Sequence, residues 1–311
     1  MRLLSPTPAR VLLTEARAQL DSAGVDSAAL EARLLLAYAI DVAPESLLAE
    51  PEQIVSADAE ARFREALGRR LNREPLFYIT GEREFYGLPF YVDARALIPR
   101  PETELLVEEA IAAVAGMGDA HGKGTGLLIA DIGTGSGCIV VATATALTEA
   151  RFFASDISAE AVEVAQANAE RHGVADRITF GVGDLLEPLA GPVDIIIANP
   201  PYIPAENLPE LQAEIRDHEP RVAVDGGEGG MTIAERLVRS APSYLKPGGR
   251  LLMEVGYGQA PLMVDVAKEV FPPGTEVDMA LDLAGIPRVV RVAALRLGRP
   301  IEALDSSLRS E

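Results

Sequence analysis

The sequence has very few of the residues that build metal sites and disulfides. It contains one cysteine, Cys138, and three histidines that are far apart in the chain. A single cysteine excludes an internal disulfide and a cysteine-based zinc site. The histidines do not have the spacing of a metal-binding motif. The sequence therefore predicts no metal centre.

Long apolar runs are also missing. No run of about 18 apolar residues occurs, so we expect no membrane-spanning helix and no membrane partner. Near the N-terminus, Glu15 and Arg17 interrupt the apolar segment, which is unlike the core of a secretory signal peptide. These observations predict a cytoplasmic protein.

Positive charge is scarce relative to negative charge. The chain has 28 Lys and Arg against 47 Asp and Glu, a formal net charge of −19 at pH 7. Such a surface repels phosphate backbones, so we expect no stable complex with nucleic acid. It suits a protein partner with a basic face, and we expect the chain itself to be a monomer.

The pattern of apolar residues divides the 311-residue chain into one small and one large domain. Residues 1–75 have helical periodicity, and residues 76–98 have the aromatic residues and glycines of a hairpin linker. Residues 99–298 alternate between strand and helix patterns, and residues 299–311 form a polar tail that we expect to be disordered. Alternation of this kind predicts an α/β fold with a doubly wound, mainly parallel sheet.

Seven apolar segments of this larger domain are strand candidates. They lie at 127–132, 151–157, 178–184, 193–199, 249–255, 276–282 and 288–295. The helical segments between them lie at about 138–148, 159–172, 231–241 and 259–270. We expect a flexible loop at 116–126, before the first strand.

An Asn-Pro-Pro-Tyr sequence, residues 199–202, ends the strand at 193–199. Five of the six residues before Asn199 are apolar, which is typical of a strand buried on both faces. Because Pro200 and Pro201 lack an N–H, the strand must stop there. The Asn199 side chain and the Pro200 carbonyl are therefore two fixed acceptors, suited to the two N–H groups of a planar –NH2 group.

Ligand-type residues also follow the first three strands. The first ends in Gly133-Thr134-Gly135-Ser136-Gly137, which allows a ligand to approach the backbone. The second ends in Asp156, an acid suited to ribose hydroxyls, and the third in Asp184. Ligands bind at the carboxyl ends of the strands in open α/β sheets, so the sequence predicts one binding site there.

These motifs resemble the HemK/PrmC family of class I S-adenosylmethionine-dependent methyltransferases, and the resemblance extends from the helical N-terminal domain to about Leu297. It is also carried by further segments of the sequence, which are Tyr78–Gly81, Phe85–Gly87, Ile98–Glu104 (IPRPETE), Asp225–Gly230 (DGGEGG) and Glu254–Gln259 (EVGYGQ). The family implies methylation of the side-chain amide nitrogen of the glutamine in the Gly-Gly-Gln motif of peptide chain release factors. It also implies S-adenosyl-L-methionine as the cofactor and S-adenosyl-L-homocysteine as the product.

The resemblance also implies a role for each site residue. Gly133, Thr134, Gly135, Ser136 and Gly137 would hold the methionine part of the cofactor, and Asp156 its ribose. Asp184 and Leu185 would border the adenine. Asn199, Pro200, Pro201 and Tyr202 would bind the substrate amide, with Asn199, Pro200 and Tyr202 acting in catalysis, and Asn199 would also contact the cofactor.

The sequence leaves two alternative functions open. The strongest alternative is a nucleic-acid methyltransferase that acts on the exocyclic amine of adenine or guanine, because similar turns serve flipped bases; the net charge counts against it. A cofactor-binding scaffold without activity is a second alternative. A cluster of arginines at 62–73 is interpreted as a solvated helix face, with a docking surface as the alternative.

Overall fold

The computed structural model describes residues 7–118 and 122–295. The predicted tail at 299–311 lies outside the described residues, and the predicted loop at 116–126 lies partly outside them. Contacts divide the chain into two compact units. One holds the chain up to Arg83 together with Val92–Ala94 and Glu210–Glu219, and the other holds Glu84–Tyr91, Arg95–Pro209 and the chain from Pro220 onward.

The first unit is mainly helical. Its helices are α1 (Ala9–Ser22), α2 (Ala28–Ile40), α3 (Ser46–Ala49), α4 (Ala57–Leu71), α5 (Leu76–Thr80) and α9 (Ala213–His218), and two short strands, β1 (Thr7–Pro8) and β2 (Ile54–Val55), pair antiparallel. Leu12, Ala16 and Leu20 recur every fourth residue on α1 and are fully buried, as expected of an amphipathic helix. The Ser56 side chain accepts a hydrogen bond from the backbone N–H of Ala59 and caps α4.

The arginines of α4 and the residues after it are engaged within this unit. Arg62 donates to the Ala39 carbonyl, and Arg64 and Arg69 pair with Glu60 and Glu74. Arg70 is buried between Glu31 and Glu214, and Arg73 also bonds Glu214. Although burial raises it, hydrogen bonds from the backbone and from Arg70 and Arg73 leave the pKa of Glu214 below its usual value. These contacts favour a structural role for the cluster.

The predicted hairpin linker begins with a helix instead of a strand. Pro75 precedes α5, and Gly81 ends it with a left-handed φ of 75°, the usual residue at a helix C-terminus. The hairpin itself consists of β3 (Glu82–Phe85) and β4 (Leu88–Tyr91). Leu76 and Ile79, three residues apart, are both buried, so burial on one side selects the helix.

The second unit contains a seven-stranded sheet, which confirms the predicted fold class. The strands are β5 (Leu128–Ile132), β6 (Arg151–Asp156), β7 (Ile178–Val182), β8 (Val193–Ala198), β9 (Leu245–Glu254), β10 (Glu276–Leu281) and β11 (Pro287–Ala293). Their order is β10-β11-β9-β8-β5-β6-β7. The pairs from β9 to β7 are parallel, and β11 is antiparallel to both of its neighbours.

Helices of this unit are α6 (Glu104–Ala115), α7 (Cys138–Ala146), α8 (Ala159–Arg171), α10 (Thr232–Ser240) and α11 (Ala260–Val270). Helix α6 precedes β5, and the other four lie between successive strands of the sheet, as in a doubly wound fold. Strand β8 lies between β5 and β9, and its Ile195, Ile196 and Ile197 are buried. The strand that ends in Asn199 is therefore central, and the carboxyl ends of β5 to β9 meet at one edge of the sheet.

Neither a membrane span nor a metal cluster is found in the described part of the chain. None of its helices is long and apolar enough to cross a bilayer. No group of His, Cys, Asp and Glu side chains within residues 7–118 and 122–295 is arranged to hold a metal ion.

Candidate active site

A cavity of about 500 Å³ lies at the carboxyl ends of the parallel strands. Six of the predicted cofactor-binding residues line it, and Pro200 and Pro201 do so as well. The six are Gly133, Gly135, Asp156, Asp184, Leu185 and Asn199. The topology of the sheet thus brings the ends of four strands to one site.

The glycine-rich loop faces this cavity with bare backbone. Gly133 and Gly135 have φ angles of 75° and 54°, and a Cβ atom at either position would meet nothing within 4 Å. The backbone N–H groups of Gly133 and Thr134 donate to the Ser155 carbonyl and fix the loop against β6. Open space beside a rigid backbone is what a ligand needs for close approach.

Three residues of the predicted loop do not line the cavity. Thr134 and Ser136 are buried; Thr134 donates its hydroxyl proton to Asp131 at 2.7 Å, and the Ser136 carbonyl accepts from Asn168. A Cβ atom on Gly137 would lie 2.9 Å from Ala165 of α8. These residues pack behind the loop, and their predicted contact with a cofactor stays a prediction.

Both carboxylate oxygens of Asp156 accept hydrogen bonds from backbone N–H groups, one of them in the glycine-rich loop at 133–137. One accepts from the Gly135 N–H and the other from the Ser158 N–H, each at 2.9 Å. Burial raises the pKa of Asp156, and these backbone hydrogen bonds oppose the increase. The carboxylate is therefore held in a fixed position at the cavity wall.

The loop after β7 contains a residue with a strained backbone and an aspartate that pairs with an arginine of α10. Leu185 has a φ of 48°, which is costly for a side chain that is not glycine. The adjacent Asp184 pairs with Arg236 of α10, and Arg236 lines the same cavity. No local pattern in the sequence points to Arg236, because it comes from a helix and lies 52 residues after Asp184 in the chain.

The Asn199 carboxamide has its nitrogen engaged and its oxygen available. Its Nδ2 donates to Thr103 Oγ1 at 3.1 Å. Neither Asn199 Oδ1 nor the Pro200 carbonyl accepts a hydrogen bond from residues 7–118 and 122–295. Both residues line the cavity, and their role as a pair of acceptors for a substrate amide stays a prediction.

Tyr202 is outside the cavity lining and belongs to the support of the turn. Its carbonyl accepts from Gln259 Nε2 at 2.9 Å, and Gln259 Oε1 accepts from the Gly256 N–H. Burial, followed by the charge of Glu254, raises the pKa of Tyr202 to about 12. Its predicted contact with the substrate therefore stays a prediction.

The loop at 225–230 packs against the Asn-Pro-Pro-Tyr turn. Ile203 bonds to both Val224 and Gly226 through its backbone. A Cβ atom on Gly226 would lie 2.8 Å from the Pro201 carbonyl oxygen, and one on Gly230 would lie 2.2 Å from that of Tyr202. The two motifs at 225–230 and 254–259 thus hold the Asn-Pro-Pro-Tyr turn in place.

The sequence matches known families over both units. Residues 11–81 match the model described as PrmC N-terminal domain, and residues 120–228 match the methyltransferase small domain. A release factor glutamine methyltransferase of Koribacter versatilis is 40% identical over 273 residues, which cover 87% of this chain and 93% of the relative. The proteins of that name from Geobacter sulfurreducens (42% identical, covering 81% of this chain and 85% of the relative) and Moorella thermoacetica (41%, covering 84% and 90%) agree.

The chain belongs to the release factor glutamine methyltransferase family. The resemblance inferred from the motifs is thereby confirmed. Methyltransferases of this kind generally use S-adenosyl-L-methionine. The cavity of this family member fits such a group, because the two bare glycines leave open space beside the carboxylate of Asp156.

Proposed function

We propose that this protein transfers a methyl group from S-adenosyl-L-methionine to the side-chain amide nitrogen of glutamine in the Gly-Gly-Gln motif of release factors. The observation that carries this proposal is the engaged nitrogen of Asn199. Because Nδ2 donates to Thr103, the oxygen is the atom left to receive a hydrogen bond from the substrate.

The acceptor pair suits a primary carboxamide. A glutamine –NH2 group has two N–H donors, and Asn199 Oδ1 and the Pro200 carbonyl are two acceptors. The amide nitrogen is a weak nucleophile because its lone pair is delocalised. Two fixed acceptors orient this nitrogen and stabilise the positive charge that develops on it.

The cofactor roles divide among the cavity-lining residues. Gly133 and Gly135 would take the methionine part, Asp156 the ribose, and Asp184 and Leu185 the adenine. When bound, S-adenosyl-L-methionine supplies an electrophilic methyl group. No histidine lines the cavity within the described residues, and none is needed: the methylated amide is strongly acidic and loses its extra proton to water.

The proposed substrate also sets the place of action. Release factors work in translation, so we place this activity in the cytoplasm. The proposal also takes the monomer as the active unit.

Mass spectrometry of a release factor incubated with this protein and methyl-labelled S-adenosyl-L-methionine tests the proposal. We expect one labelled methyl group on the glutamine of the Gly-Gly-Gln peptide. A release factor with that glutamine replaced by glutamate should remain unlabelled. Labelled duplex DNA or RNA in a parallel reaction, with no label on the release factor, would refute the proposal and favour the nucleic-acid alternative.

A further inference from the structure

Thr103 connects the turn before α6 with the acceptor site. It ends the short helical turn Pro101–Thr103 and is 2% exposed. Its hydroxyl oxygen accepts a hydrogen bond from Asn199 Nδ2 at 3.1 Å. Thr103 also interacts with the Glu254 carboxyl, and this interaction opposes the rise in the pKa of Glu254; its hydroxyl has one proton of its own to donate. The Asn199, Thr103 and Glu254 side chains thus lie together at the end of β9.

Glu254 is an unusual residue for this position. It is 2% exposed, and its Oε2 atom has no hydrogen-bond partner among the described residues. Burying a carboxyl group with an unpaired oxygen is unfavourable. Its contacts with Thr103 and Asn199 place the group directly behind the predicted acceptor.

The direction of the hydrogen bonds among these side chains depends on which of them can only accept. An ionised carboxylate only accepts hydrogen bonds, so Thr103 must direct its proton to Glu254 and its oxygen to Asn199. The torsion of an Asn carboxamide is broad and nearly two-fold. Without a fixed acceptor beside Nδ2, the amide can turn over and present –NH2 to a substrate that is itself a donor.

We propose that Thr103 and Glu254 are positioning residues that fix the orientation of the Asn199 carboxamide, so that its oxygen faces the substrate nitrogen. This inference rests on the proposed function. It also joins three motifs of the sequence, those at 98–104, 199–202 and 254–259, in one cluster of side chains.

The ionisation of Glu254 supplies a distinctive readout. Burial raises the pKa of Glu254 to about 7; the hydrogen bond from Thr103 and the charge of Arg288 oppose the increase, and the charge of Glu102 adds to it. Burial also raises the pKa values of two neighbours, Tyr202 and Cys138, to about 12, so both stay neutral near pH 7. A protonated Glu254 donates a hydrogen bond itself, which reverses the direction of hydrogen bonding among Glu254, Thr103 and Asn199.

Three variants separate positioning from folding. Thr103→Val removes the hydroxyl at nearly constant volume, and Thr103→Ser retains it. Thr143→Val is the matched control, because Thr143 is a fully buried threonine whose hydroxyl has no partner in the described structure. We expect Thr103→Val to lower kcat about tenfold or more, with KM for the release factor and the cofactor Kd changed less than about twofold. Thr103→Ser and Thr143→Val should resemble the wild type.

The pH profile tests Glu254 through Glu254→Gln. We expect the wild-type kcat to fall as pH decreases through about 7, and the variant to lack this decrease. Burial also raises the pKa of Asp131 to about 7, but Asp131 is present in both proteins, so the difference between their profiles reports Glu254.

Nuclear magnetic resonance gives a test that is independent of methyl transfer. The side-chain –NH2 signals of Asn199, identified by their loss in Asn199→Ala, should shift with the pH near 7 in the wild type and lose this shift in Glu254→Gln. Each of three results would overturn the inference. These are a wild-type kcat in Thr103→Val, equal loss of kcat in Thr103→Val and Thr103→Ser, and the same titration of the Asn199 signals in Glu254→Gln as in the wild type. Titrating Asn199 signals in a protein that does not methylate release factors would refute the proposed function, while still showing that Glu254 sets the orientation of the Asn199 carboxamide.

Discussion

The substitution Gly230→Ala adds a single methyl group, which should lower the activity of the site by displacing the Asn-Pro-Pro-Tyr turn. A Cβ atom there would lie 2.2 Å from the Tyr202 carbonyl oxygen, whereas real Cβ contacts below 3.0 Å are essentially never seen, so one of the two must move by about 0.8 Å. Its other close neighbours are the Gln259 side chain and the Pro204 nitrogen. The Asn-Pro-Pro-Tyr turn is therefore the part that yields.

Displacements of this size are costly for catalysis. A misplacement of about 1 Å at a reacting group costs about 10²-fold in rate, so we expect Gly230→Ala to lower kcat by roughly this factor. Crowding of a packed site costs about 1–3 kcal/mol of stability in addition. The cofactor-binding loop is not a neighbour of Gly230, so the Kd for S-adenosyl-L-methionine should change little.

Gly229→Ala is the matched control. Gly229 has a φ of 59°, similar to the 74° of Gly230, but a Cβ atom there would meet nothing within 4 Å. Both variants carry the left-handed strain of about 1–2 kcal/mol, and only Gly230→Ala adds the collision. Methyl-transfer kinetics and thermal unfolding of the two variants should be compared. Equal kcat values in both would refute the argument that this loop holds the turn.

Three further predictions concern other groups. Asn199→Ala should lower kcat by about 10²–10³-fold, the effect of one lost preorganised partner, with little change in cofactor Kd by calorimetry; unchanged turnover would contradict its role. Arg70→Met leaves Glu31 and Glu214 without their shared cation and should cost about 3 kcal/mol in urea unfolding. Because the pKa of Glu214 is lowered in the native state, the wild type should lose stability as pH falls through that lowered pKa, and the variant should show a smaller loss. The raised pKa of Asp131, about 7, predicts stability that is lost as pH rises toward 7, and unfolding of Asp131→Asn should lack this dependence.

The sequence was most informative where the physical signal is local. Three adjacent isoleucines followed by two prolines specify a buried strand with an abrupt end, and β8 ends there as predicted. Acids and glycines placed after successive apolar segments were sufficient to predict one shared edge of the sheet. Contacts between distant segments left no such trace: Thr103 and Asn199 are 96 residues apart, and nothing in either segment specifies their hydrogen bond.

Burial also distinguished residues that the sequence treats alike. Within the glycine-rich loop, Gly133 and Gly135 face the cavity, whereas Gly137 allows close packing of α8. Each is a glycine at a left-handed φ, so local conformation is the same and only the neighbour differs. The positive charge of the α4 arginines was visible in the sequence, but their partners, such as Glu214, come from a remote segment.

The grouping of Glu210–Glu219 with the helical unit means that this protein cannot be separated into its two parts by one cut. A truncation after Arg83 would remove the cation that Glu214 pairs with, because Arg70 and Arg73 both lie before that point. The excised fragment would in turn lack a helix of its own fold. Besides the junction after Arg83, exchanging the helical part between relatives would therefore require junctions on either side of Val92–Ala94 and on either side of this decapeptide.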